Sequence, residues 1–182
     1  MAECAITGSI DLSCDAKRQV GGVKTKVWRV SAQRGFTYTT DGTGYLTALA
    51  FAQYQGLVTL EGVQNSHSGG AVPQRLEGGN LFYQHDVLVK TLPENPTDDE
   101  VIEDWASGEG AIILETNNKE FFLFGADNGM QQQSDGGFNT GQTRNSDVAT
   151  TLNMQGGEKK VPLRILDTDY ATTLALLESY EI

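Results

Sequence analysis

Apolar and polar residues alternate along most of this chain, and a period of two sends successive side chains to opposite faces of a β-strand. Val23, Thr25 and Val27 lead into Val30, and the run 36–40 carries Phe36, Tyr38 and three threonines. Asp41-Gly42 follows, and a second β-rich run covers 45–51. Asp-Gly between two such runs reads as a hairpin, because these residues tolerate the backbone of a tight turn. A short strand is expected at 57–60 and a longer one at 81–89. In the latter Leu81, Tyr83, His85, Val87 and Val89 share one face, opposite Phe82, Gln84, Asp86 and Leu88. The clearest hairpin pairs 111–115 with 120–124 around Asn117-Asn118, and both arms are apolar enough to be central strands. Strands at 148–154 and 161–166 complete the pattern.

One helix is expected at 97–107. Thr97 reads as its N-cap with Glu100 closing a capping box, Asp98 and Asp99 meet the positive end of the helix dipole, and Gly108 ends it. Val101, Ile102 and Trp105 form its apolar stripe. A second helix at 170–177 would turn Leu174 and Leu177 or Leu176 inward, although the pair Thr172-Thr173 weakens it. The segments 64–79 and 127–147 are polar and glycine-rich, and read as long loops or extended arms. Together these elements describe one domain over 1–182 of α+β class, mainly β, with an antiparallel sandwich or barrel and one flanking helix.

Composition narrows the function. Thirteen Lys and Arg against 24 Asp and Glu give a formal charge of -11, which argues against an electrostatic grip on nucleic acid or anionic lipid. No apolar stretch approaches the roughly 18 residues of a membrane span, and the start lacks the pattern of a signal peptide, so folding in a cytosol is expected. Cys4 and Cys14 are open to three readings: buried thiols, a disulfide, or a share in a metal site. A zinc site wants four ligands in close pairs, and only His67 and His85 are at hand.

The signatures of catalysis are missing. No GxSxG, GxGxxG or GxxxxGK[ST] can be drawn, and Gly21-Gly22-Val23-Lys24-Thr25 has the wrong spacing for a phosphate loop. Capping explains Asp98/Asp99 and turn chemistry the segments at Asp41 and Asp127, while a pair such as Asp167/Asp169 is expected in any chain this acidic. His67 and His85 read as a loop and a strand residue, so replacing both should leave function intact. The expectation is no enzyme, with no catalytic, cofactor-binding or metal-binding residue, and hence assembly or recognition as the task.

The order of several short segments resembles a known family. They are Cys4-Ala5-Ile6-Thr7-Gly8, Cys14-Asp15, Gly21-Gly22-Val23-Lys24 and Asn80-Leu81-Phe82-Tyr83-Gln84, then the acidic helix before Ile112-Ile113-Leu114-Glu115. Phe122-Leu123-Phe124-Gly125-Ala126-Asp127-Asn128-Gly129-Met130 and the strand 148–154 follow. In this order they resemble the tail-tube-like virion structural proteins of tailed bacteriophages, including crAss-like phages that infect Bacteroidetes, with a departure after Leu166. The resemblance implies a tail-tube fold and subunits that self-assemble into stacked rings, commonly hexameric. The rings form a channel through which DNA passes as non-specific cargo, with other tail or connector proteins as further partners and no cofactor. It places the protein in the virion, assembled in the host cytoplasm, with 64–79 and 127–147 as assembly loops. A connector, stopper or capsid decoration protein would share these features. A carbohydrate-binding β-sandwich is a further alternative, but it would want exposed aromatics beside a polar cleft. Trp105 falls in the helix stripe and Trp28 in a strand.

Overall fold

The computed structural model describes residues 22–62, 66–92, 96–133, 136–139 and 149–182. The first six strands are β1 (Val23–Val30), β2 (Thr37–Thr40), β3 (Leu46–Ala50), β4 (Leu57–Glu61), β5 (Ser68–Arg75) and β6 (Leu81–Thr91). Helix α1 (Pro96–Ser107) separates them from β7 (Ile112–Thr116), β8 (Phe121–Phe124), β9 (Gln131–Gln132) and β10 (Gly137–Asn139). The last elements are β11 (Ala149–Glu158), β12 (Leu163–Ile165) and α2 (Tyr170–Ser179). The chain is thus α+β and mainly β. A larger sheet runs β2-β3-β12-β8-β7-β1-β4, and a smaller one runs β10-β11-β6-β5 with β9 on β11. Among the described strands pairing is antiparallel except where Ile165 of β12 meets Leu46 of β3, and an isolated parallel bridge joins Leu57 to Glu181. No helix among the described residues is long and apolar enough to cross a membrane.

The larger sheet is apolar on both faces, which is why β7 and β8 read as continuous apolar runs. Val27, Ile112, Leu114 and Phe124 turn toward Val87, Val89, Leu152 and Met154 of the smaller sheet and Ile102 and Trp105 of α1. Trp28, Ile113, Phe121 and Leu123 turn the other way, onto Leu46 and Leu49 of β3 and Leu177 of α2. One sheet therefore serves two cores, and the intervening residues are as buried as their neighbours. The β7–β8 turn keeps its hairpin through Lys119, whose positive φ of 63° lets its N–H reach the Thr116 carbonyl at 2.9 Å.

Several boundaries differ from the sequence expectation. Pro96 takes the first helical position, where its missing N–H costs nothing, so Thr97 lies inside α1 and not at its cap. Within 64–79, expected as a long loop or an extended arm, Ser68–Arg75 is a full strand paired with β6 from Ser68↔Leu88 to Arg75↔Leu81, while 64–65 lie outside the described residues. Within 127–147, β9 and β10 are strands on β11, while 134–135 and 140–147 lie outside the described residues. The strand expected at 148–154 runs on to Glu158. Helix α2 is firm, because Thr173 turns its hydroxyl to the Asp169 carbonyl (2.7 Å) while accepting the Asp167 N–H (3.0 Å). After it the chain pairs with the larger sheet: Leu57 N–H donates to Tyr180 O and Ile182 N–H to Leu57 O.

Candidate functional site

The polar residues singled out in the sequence are spent on structure. Asp41 accepts the Thr43 hydroxyl and the N–H groups of Thr43 and Tyr45, and the hydroxyl chiefly holds its carboxyl below the usual range. Asp169 caps α2 through the Thr172 N–H at 2.8 Å, which chiefly lowers its pKa as well. Cys4 and Cys14 lie outside the described residues.

His67 and His85 are both almost wholly buried, at 3% and 2% exposure. The backbone N–H of Lys90 donates to His67 Nδ1 (3.1 Å), and Nε2 meets the Thr25 carbonyl (3.2 Å), so the ring bridges β6 and β1. His85 accepts the Gly125 N–H on Nδ1 (3.1 Å), reaches the Lys160 carbonyl with Nε2 (2.9 Å) and packs edge-on against Phe124. These partners assign the neutral Nε2–H tautomer in both, and burial pushes both pKa values down. Each ring is thus a clamp between segments of backbone, a structural part of the fold.

Arg29 escaped the sequence reading. It is 4% exposed, and its Nη1 donates to the carbonyls of Trp105 (2.8 Å) and Asp104 (3.2 Å) at the C-terminal end of α1, where a cation is favoured. The guanidinium also lies over the Trp105 ring. Desolvation chiefly lowers its pKa, and Asp104 opposes this.

Two surface features remain. The first is the β5–β6 arm, whose residues 72–81 are all exposed. Val72, Leu76 and Leu81 are 55%, 56% and 49% exposed, and no described strand pairs with the outer edge of β5. Pro73 sits in the ladder opposite Tyr83. A proline there must turn its nitrogen away from β6, so the outward row of donors is interrupted at that point.

The second is a cleft of about 450 Å³ on the outer face of the smaller sheet. Its floor is Gln84 of β6 with Gln155, Gly156 and Gly157 of β11, and its walls include Phe82, Asn128, Gln131 and Gln133. Close backbone approach builds it. A Cβ on Gly156 would lie 2.2 Å from the Gly129 carbonyl oxygen, so only glycine lets the 125–130 turn seat against β11. Buried Glu158 receives the N–H groups of Asp127 (3.1 Å) and Asn128 (2.8 Å), and desolvation chiefly raises its pKa. Tyr38 donates to Asp127 from the other side at 2.7 Å, and its pKa is pushed up to about 12, chiefly by burial. Sequence reasoning missed the cleft because its residues come together only through strand register.

Comparison with protein-family models, with curated proteins and with solved structures finds no match to this chain.

Proposed function

We propose that this chain is a structural subunit that assembles with copies of itself through the β5–β6 arm, in the manner of the tail-tube-like virion proteins that its sequence resembles. The observation that carries this reading is the exposure of Val72, Leu76 and Leu81 along the open edge and tip of the β5–β6 hairpin. A long open edge of this kind is a template for another chain. Pro73 restricts that template, which favours a defined neighbour over unlimited strand addition. In this reading DNA passes as cargo without being gripped, because a chain of net charge -11 offers phosphate little attraction. The reading also places the subunit in a phage virion, assembled in the host cytoplasm.

The test is a Leu76→Ser/Leu81→Ser double variant beside the unaltered protein, followed by sedimentation velocity and negative-stain microscopy. The unaltered protein is expected to form rings or tubes. The variant is expected to stay monomeric with an unchanged circular dichroism spectrum, since both side chains are already in water. An unaltered protein that stays monomeric at high concentration, or a variant that assembles equally well, would refute the proposal.

A further inference from the structure

We infer that the carboxamide-lined cleft over β6 and β11 binds a neutral, polyhydroxylated ligand of the saccharide class. The argument begins with charge. Among the described residues that line the cleft, the one charged side chain is the exposed Glu109, and none is Lys, Arg or His. A phosphate or carboxylate would find no counter-charge there. An apolar ligand would cover the amides without pairing them and leave those polar groups stranded.

What the cleft offers is uncharged hydrogen bonding of fixed direction. Gln155 Nε2 donates to Asp86 Oδ2 at 3.0 Å, and a carboxylate can only accept, which fixes the orientation of that amide. Gln155 Oε1 then accepts Gln84 Nε2 at 2.9 Å, fixing the second amide in turn. This leaves Gln84 Oε1 and one N–H on each amide for a ligand. Gln131 and Gln133 stand at the rim, and neither carboxamide has a hydrogen-bond partner among the described residues. A planar carboxamide presents one donor edge and one acceptor, which suits neighbouring hydroxyls that each donate and accept.

The apolar element is placed to match. Phe82 is half-buried beside the glutamine row, and a Cβ on Gly157 would lie 3.6 Å from its ring, so glycine there keeps the ring clear of a covering side chain. A sugar ring has a C–H face for such a surface and hydroxyls at its edge for the amides. At about 450 Å³ the cleft falls within the roughly 300–1,000 Å³ of small-ligand sites. The seating of the 125–130 turn by Glu158 and Asn128 holds its wall before any ligand arrives, which limits the ordering cost of binding.

The test presents maltotriose, cellotriose and chitotriose at millimolar concentration to the protein, with inorganic phosphate as the charged control. Saturation-transfer NMR detects the ligand, and ¹⁵N spectra follow the side-chain amides. At least one trisaccharide is expected to bind and to shift Gln84 and Gln155, without competition from phosphate. Gln131→Ala/Gln133→Ala, both exposed and outside the core, is expected to weaken binding at least about tenfold with an unchanged thermal midpoint. Phe82→Ala should weaken it comparably. The inference fails if no trisaccharide binds the unaltered protein, or if the double variant binds within twofold of it. It fails equally if the cleft amides respond only to self-association, since the cleft would then be a contact between copies.

Discussion

His67 and His85 each receive a backbone N–H on Nδ1 and turn Nε2 toward a carbonyl, at four contacts between 2.9 and 3.2 Å. A proton added to Nδ1 would face the donor it now accepts, so the charged ring loses that bond while remaining buried. The folded pKa lies below the unfolded value of about 6.5 for both. Between those limits the unfolded chain binds more protons, so stability is complete above pH 6.5 and falls as the pH drops below it. Glu158 acts in the opposite sense, because its raised pKa makes the folded state bind the proton first, so it adds stability as the pH falls from that raised value to its ordinary carboxyl value. Chemical denaturation at pH 8, 7, 6 and 5 is therefore expected to show stability declining below pH 6.5. His67→Gln or His85→Gln should lower it at pH 8 by about 1–3 kcal/mol and flatten the decline. A slope unchanged by both substitutions would show that neither ring carries the effect.

At the scale of elements, legibility followed locality. The β7–β8 hairpin was readable because two apolar runs and an Asn-Asn turn are adjacent in the chain. Strand β5 was not, since Gly69, Gly70 and Pro73 are poor strand formers, and it is a strand because β6 supplies the partner for all eight positions. Gly69 also has a packing duty, as a Cβ there would strike Leu114 and Phe124 at 2.6 and 2.7 Å. The cleft was invisible for a similar reason: Gln84, Gln131 and Gln155 meet only through pairing of β6, β9 and β11. The segment 180–182 after α2 proves to be a strap. Glu181 accepts Trp28 Nε1 at 2.8 Å and pairs with Lys26 at 2.6 Å, joining the chain end to β1. Glu181→Ala leaves the indole N–H of a fully buried tryptophan without this partner. The contact is part-exposed, so the expected loss is about 1 kcal/mol, or a melting midpoint lower by roughly 2–4 °C. A midpoint unchanged in a melting scan would mean that the strap is held by its backbone pairing alone.

For the whole molecule, assembly sets two forces against each other. Each copy carries a formal charge of -11, so bringing copies together is opposed by like-charge repulsion. The proposed contact is apolar, through Val72, Leu76 and Leu81, and its strength does not depend on screening. Raising ionic strength from about 0.01 to 0.15 M shortens the Debye length from roughly 30 to 8 Å and removes most of the repulsion. Assembly should therefore increase with salt across this range, which sedimentation or light scattering at fixed protein concentration can follow. If copies were joined by surface ion pairs such as Arg164–Glu120 re-formed between subunits, salt would dissolve them instead. The Leu76→Ser/Leu81→Ser variant separates the two accounts a second time, since it retains every charge. It should remain monomeric at all salt concentrations if the arm drives assembly. Salt-dissolved oligomers, or a variant that assembles like the unaltered protein, would move the interface away from the arm.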